Sequence, residues 1–429
     1  MSNYRPNPAV EIPQILVRSF FMRETTILNA GTVEHYSAVT KPCGSTCNMD
    51  CSYCFYLHKD DLLYQGNTKK MSFHLLELHI KQYLEAQHGK YVEFIWQGGE
   101  PTLLGLDYFK EAVTLQKKYA KPDQEVLNSF QTNGLKINKA WCEFFLEHNF
   151  LIGISIDGPR HLHDINRRSN AGKSTFDRVE KTVKLLKRYG VAFNALCAVN
   201  NDNSKHPKEV YRYIRDIIKP RVIQFTPVVQ TQDFQTKASF DVNLLSTKQV
   251  NGLQLNAHVT DWSVDPLDWG NFLVTIWDEW FKNDFGEVFV ENFEDVAAIT
   301  LGYGSQKCTS SAQCGKGLAI EHNGDVYSCD HFVYSDYYLG NILSTHQGDL
   351  LASSQQKKFG IAKTATLPMY CKNCQYLNYC QGECPKNRIA TSPDGEAGLN
   401  YLCDGQKLFF QRIVSSTPEM LKKIEAFSA

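Results

Sequence analysis

The chain has 429 residues, 43% of them hydrophobic and 12% aromatic, enough apolar material for one large domain and a smaller second one. Lys and Arg (45) balance Asp and Glu (46) to a formal net charge of −1, which argues against a nucleic-acid surface and against an acidic disordered tail. No apolar run is long enough to span a bilayer, and Arg18 interrupts Ile15-Leu16-Val17 and Phe20-Phe21, so neither a membrane anchor nor a signal peptide is expected. The 14 cysteines are therefore read as reduced thiols of a cytoplasmic protein, grouped for metal or cluster binding and not as a disulfide framework.

Residues 1–36 contain no cysteine and are expected to form an N-terminal extension, a strand or arm packed on the main domain. From 37 to about 230 short apolar runs alternate with amphipathic stretches. Strands are expected around Ser37–Thr40 and at Val92–Trp96, Leu127–Gln131, Leu151–Ile156, Phe193–Val199 and Val222–Phe225. Apolar residues at three-to-four spacing predict helices at Leu75–Gln87, Tyr108–Tyr119, Lys139–His148, Phe176–Tyr189 and Pro207–Ile218. Such alternation implies parallel βαβ units, here an α/β fold with a sheet of about six strands in an open, partial (β/α)6 barrel. Ligands of such sheets sit at the carboxyl ends of the strands. Periodicity is lost over 230–266, which reads as a long loop or insertion, and a helix is expected through Trp269–Phe281. The first domain is thus placed at 37–290. Residues 300–429 form the second, a loop-rich region folded around metal centres and ending in a helix over Lys407–Phe427.

Chemistry concentrates first in Cys47-x3-Cys51-x2-Cys54, with Tyr53 and Phe55 flanking the last cysteine. Three thiolates can hold three irons of a [4Fe–4S] cube and leave the fourth iron open for a cofactor. An odd set of three suits structural zinc poorly. Cys43 shares an even spacing with Cys47 and Cys51, and is read as a small buried residue near the cluster. Gln97-Gly98-Gly99-Glu100-Pro101 follows a strand; its glycines permit close backbone approach, and Glu100 offers an acceptor for a cation. A tight turn alone would also explain it. Gln131-Thr132-Asn133-Gly134, Ser155-Ile156-Asp157-Gly158 and Gln224–Val229 end further strands. Asn-Gly is an ordinary turn signal, and Arg167 by itself is an ordinary surface ion pair. Downstream, eight cysteines stand at 308, 314, 329, 371, 374, 380, 384 and 403, enough for two four-thiolate clusters or for two zinc sites. Cys142 and Cys197 fall within a helix and a strand and are read as core residues.

Together CNMDCSYCFY, QGGEPTLLG, SFQTNG, ISIDGP, HDINR, GDVYSCD, LGNI, CKNCQYLNYCQGEC and NYLC resemble the radical S-adenosylmethionine (SAM) enzymes with a SPASM extension. Within that group they resemble the anaerobic sulfatase-maturating enzymes, from about Lys41 to Phe409. The resemblance implies three [4Fe–4S] clusters. Cys47, Cys51 and Cys54 would hold the one that binds SAM. Cys308, Cys314, Cys329 and Cys384 would hold one auxiliary cluster, and Cys371, Cys374, Cys380 and Cys403 the other. It further implies that Tyr53, Gly98, Gly99, Glu100, Ser155, Arg167 and Val229 contact SAM, with Arg168 the alternative to Arg167 for its carboxylate. Tyr56, Gln97, Gln131 and Asn133 would hold a peptide, and His163 would brace the loop around Asp157. The implied activity is oxidation of a Ser or Cys in a sulfatase polypeptide to Cα-formylglycine through a 5′-deoxyadenosyl radical. Asp330 would be the base, and flavodoxin or ferredoxin the kind of electron donor. The competing readings are a related enzyme that modifies a ribosomally made peptide, and a non-catalytic zinc-stabilised binding protein.

Overall fold

The computed structural model describes residues 36–64, 70–240 and 258–428. The extension expected at residues 1–36, apart from Tyr36, and the middle of the expected insertion lie outside the described residues.

Twelve strands matter to the site: β1 (Ser37–Lys41), β2 (Met49–Cys51), β3 (Tyr91–Trp96), β4 (Glu125–Thr132), β5 (Leu151–Ser155), β6 (Arg167–Ser169), β7 (Phe193–Val199), β8 (Val222–Pro227), β9 (Phe289–Val290), β10 (Gly317–Glu321), β11 (Asp325–Tyr327) and β12 (Tyr338–Asn341). Ten of them form one open sheet in the order β12-β11-β10-β1-β3-β4-β5-β7-β8-β9. The six parallel strands expected from the sequence are its middle, β1 to β8. Helices Phe73–Ala86, Leu106–Tyr119, Lys139–Glu147 and Phe176–Tyr189 connect them. The last expected helix is α-helical over Pro207–Arg212 and widens into a π-turn over Tyr213–Ile218. Alternate residues of β3 (Val92, Phe94, Trp96) are buried beneath this layer, and Phe109 packs edge-on against Trp96.

A sheet of about six is thus an underestimate. Strand β10 pairs parallel with β1 from Ser37↔Gly317 to Lys41↔Glu321, and β11 and β12 add antiparallel strands beyond it. The physical reason is edge protection: β1 would otherwise present an unpaired backbone, and β10 buries Leu318, Ala319, Ile320 and Glu321 against it. These strands are only three to five residues long, too short for a periodic signal. At the other edge β9 pairs with β8.

The helix expected at Trp269–Phe281 spans Pro266–Asn283 and crosses the terminal helix Cys403–Ser428 closely. A Cβ on Gly270 would stand 2.6 Å from Gly405 Cα, so the crossing requires glycine. Between Pro227 and Pro266 the described residues form no helix; the two limbs of the insertion meet at a Thr231–Val259 bridge. Cys142 and Cys197 are fully buried in the core. No described helix is long and apolar enough to cross a membrane.

Candidate active site

The loop after β1 carries the first three cysteines and is fastened to the ends of neighbouring strands. Gly99 N donates to Gly44 O and Glu100 N to Thr46 O, both at 2.8 Å. A Cβ on Gly99 would collide with Ser45 O and Thr46 O, and one on Gly98 would stand 2.9 Å from Gly44 O. The close approach these glycines permit is therefore to the cysteine loop. From the other side β2 pairs with β6, and Cys51 is the register partner of Arg167. Cys47 Sγ accepts from Met49 N at 3.4 Å and from Asn133 Nδ2 at 3.7 Å. Burial pushes the Cys47 thiol up to about 11, and the charges of Cys54 and Glu100 add to the rise. Burial likewise raises Cys51 to about 12, with Cys54 and Cys47 raising it further against the pull of Arg167. Three mutually interacting sulfurs with N–H donors aimed at them are the donor set that a cluster needs. Cys43 is buried beside them, its thiol toward Gly44 O and Thr46 O.

Glu100 is wholly buried and accepts from Thr102 N (3.1 Å), the Thr102 hydroxyl (2.5 Å), the Thr132 hydroxyl (2.8 Å) and Asn133 N (2.8 Å). Burial raises its pKa against these bonds. It fastens the end of β3 to the end of β4. Asn133 bonds Asn48 Oδ1 at 2.7 Å as well as Cys47, and Gln131 Nε2 donates to Ser155 Oγ at 2.9 Å. Arg167 Nε stands 3.0 Å from Asp157 Oδ2, a buried pair to which the Tyr53 hydroxyl also donates. His163 contacts Asp157 N and Thr175 Oγ1, bracing that loop. Arg168 instead bonds Gly172 O and is exposed. Val229 is buried after β8, and its carbonyl accepts from Lys386 Nζ at 2.6 Å. Gln97 N donates to Thr40 O at the end of β1.

Asp330 follows β11 and pairs with Lys41, which is buried at the end of β1. Burial raises the Asp330 carboxyl, but the charges of Lys41 and His331 outweigh it and hold the group below its usual range. Lys41 Nζ also lies 3.7 Å above the Tyr56 ring, and the Tyr56 hydroxyl donates to both oxygens of Glu321 at 2.6 Å. His331 reaches Cys384 Sγ at 3.6 Å and packs edge-on to Phe55, so it lies between the first cysteine loop and the downstream set. Lys59 is buried with its ammonium 3.1 Å from the centre of the Tyr334 ring, and burial, then Lys41, lowers it to about 6. Sequence reading missed Lys41, Lys59, Glu321 and His331. No motif flags them, and only the position of Lys41 at a strand end was a signal.

The eight downstream cysteines separate into two sets. The Cys329 thiol feels the charges of Cys384 and Cys308, and the Cys384 thiol those of Cys308 and Cys314. Cys371, Cys374, Cys380 and Cys403 line one pocket, partly open to solvent, with Tyr370, Phe410 and Lys407. All eight are free thiols. Among the described residues no three Cys, His, Asp or Glu side chains converge tightly enough to hold one ion; the second set lines a space.

A Radical SAM superfamily model matches residues 42–214, and a SPASM iron-sulfur cluster-binding domain model matches 308–375. The chain is 41% identical to the serine-type anaerobic sulfatase-maturating enzyme of Bacteroides thetaiotaomicron, over 90% of this chain and 91% of that one. It is 32% identical to the cysteine-type anaerobic sulfatase-maturating enzyme of Clostridium novyi, over 90% and 98%. Its fold matches native anSMEcpe solved with bound AdoMet and Cp18Cys peptide at a TM-score of 0.75 and 29% identity, covering 91% of this chain and 99% of that one. The chain belongs to the anaerobic sulfatase-maturating enzymes of the radical SAM superfamily.

Proposed function

We propose that this chain oxidises a Ser or Cys within a sulfatase polypeptide to Cα-formylglycine, and that it holds three [4Fe–4S] clusters and SAM. The observation that carries the reading is the placing of the loop with the first three thiols, which interact with one another, beside the Lys41–Asp330 pair at the carboxyl end of β1. It is supported by the relatives of both types, with the higher identity on the serine side.

When bound, the first cluster and SAM supply one-electron cleavage and removal of a hydrogen atom from the target Cβ. The chain does the rest. Cys47, Cys51 and Cys54 would hold three irons of that cluster, while Met49 N and Asn133 offer N–H groups to Cys47. Tyr53, Arg167 and Asp157 shape the wall beside Cys51. Glu100 keeps Gly98 and Gly99 against the loop, leaving their other face to the cofactor. Asp330, kept ionised by Lys41, takes the proton from the target's oxygen or sulfur; a Ser target then becomes the aldehyde directly, and a Cys target becomes a thioaldehyde that water converts to the aldehyde with release of H2S. Cys308, Cys314, Cys329 and Cys384 would hold one auxiliary cluster and Cys371, Cys374, Cys380 and Cys403 the other, which would supply acceptors for the substrate's electron, while flavodoxin or ferredoxin is the kind of donor that would reduce the first cluster. Tyr56, Gln97, Gln131 and Asn133 border the space left for peptide.

The test is anaerobic reaction of the reconstituted chain with SAM, dithionite and paired peptides carrying Ser or Cys at the sulfatase motif. An aldehyde trapped by a hydrazine and located by mass spectrometry at that residue is the expected result. A cross-linked peptide without aldehyde would transfer the chain to the peptide-maturase reading.

A further inference from the structure

One arginine lies between the two downstream thiol sets. Arg388 is 3% exposed. Its Nε donates to Gly382 O at 3.0 Å, its Nη2 to Gln381 O at 2.9 Å and its Nη1 to Lys363 O. Gln381 and Gly382, with Glu383, link Cys380 to Cys384, which belong to different sets. Gly382 has φ +69°, and a Cβ there would collide with the Arg388 guanidinium. The loop that gives each set one ligand is thus wrapped on this side chain.

A second cation lies alongside. Lys363 is fully buried, and its Nζ donates to Cys308 O at 2.6 Å and Thr309 O at 2.7 Å. Among the described residues neither Arg388 nor Lys363 forms a salt bridge to a carboxylate; the Glu383 carboxylate offsets Lys363 only from a distance, and it is shared with Lys307. Buried cations lacking a counter-charge are strongly disfavoured, and carbonyl dipoles compensate only in part. The negative charge Arg388 lacks is at hand: its guanidinium holds the Gln381 and Gly382 carbonyls, on the short loop between Cys380 of one set and Cys384 of the other. Lys363 is held at the Cys308 set alone, through the Cys308 and Thr309 carbonyls. A cation beside an anionic cluster favours its reduced, more negative state, because net charge and hydrogen bonding tune cluster potentials.

We propose that Arg388 is the shared counter-ion of the two auxiliary clusters, raising both reduction potentials and bracing the loop that supplies a ligand to each, while Lys363 serves the Cys308 set alone. The inference rests on the ligand assignment made above. It makes the two electron acceptors electrostatically dependent on one residue that touches neither SAM nor peptide.

The experiment is an EPR-monitored potentiometric titration of the full chain, reconstituted with iron and sulfide, beside R388Q, R388K and K363M. R388Q is expected to move both auxiliary transitions to more negative potential and leave the SAM cluster's transition in place. K363M should move one auxiliary transition only, and R388K, which keeps the charge, should stay nearer the unreplaced chain. Unmoved potentials in R388Q, a displacement in R388K as large as in R388Q, or a K363M effect equal on both clusters would overturn the proposal. If R388Q does not retain its auxiliary iron, the R388K and K363M titrations decide by the same criteria. An unreplaced chain that binds about four irons, instead of the roughly twelve of three cubes, would overturn the ligand assignment and the inference with it. Twelve irons with unmoved potentials overturns the inference alone.

Discussion

Lys41 ends a strand of the first sheet motif, yet its ammonium faces a carboxylate 289 positions later in the chain and the ring of Tyr56 beside the first cysteines. Nothing in Lys41-Pro42 announces this, because a lone basic residue has no period, and its partner is set by which strands become neighbours. Asp330 was legible through its place after Cys329; the group that keeps it ionised was not. Two substitutions follow. D330N should leave 5′-deoxyadenosine formation largely intact while aldehyde falls by roughly a hundredfold or more, the usual weight of a general base. K41M should give the same uncoupling, since it leaves Asp330 buried without its cation, and K41R should recover part of the aldehyde. Both are read as the ratio of aldehyde to 5′-deoxyadenosine by chromatography. Full aldehyde yield from D330N removes Asp330 from the base role.

Elements carry a different kind of information. The helices between β1 and β8 were readable because each repeats apolar residues over several turns, and the expected Phe176–Tyr189 coincides with the observed helix. The GGE turn was readable as a close approach, but what it approaches depends on packing the sequence does not display. Glu294 shows the same limit. It lies in the helix Glu291–Thr300, almost wholly buried, and burial alone raises its carboxyl to about 8. An acid whose folded pKa lies above its unfolded value favours the folded state at low pH. That advantage fades as pH rises from about 4.5, the ordinary value of a glutamate, through about 8. E294Q should therefore flatten the fall in melting temperature between pH 5 and pH 8 (roughly the interval bounded by those pKa values) and gain most at the alkaline end. Parallel melting curves for the two proteins across that range would refute this.

At the scale of the whole molecule, the downstream cysteine region is built into the first sheet. Its strand β10 lies between β1 and β11, and Glu321 at its end is the register partner of Lys41. The turn after β11 then delivers Asp330 to the same place, so a single edge pairing joins the cluster loop to the base. Clustered cysteines after residue 300 made a separate loop-rich unit the natural sequence reading, since strands of three to five residues leave no period to detect. The pairing has a consequence for truncation. A chain ending at Thr300 would strip β10 from β1, exposing a strand edge with buried Ala38 and Thr40 beside it, and edges of that kind recruit other chains. Lys41 would lose Asp330, and Tyr56 would lose Glu321 together with Ala319, Tyr327 and Val333 that cover it, opening an apolar face beside the first cysteines. The truncated protein should therefore aggregate on light scattering and hold little iron at Cys47, Cys51 and Cys54, although all three remain. A monodisperse truncated chain that binds about four irons and cleaves SAM at the full-length rate would show that strands β1 to β9 fold and work without the pairing.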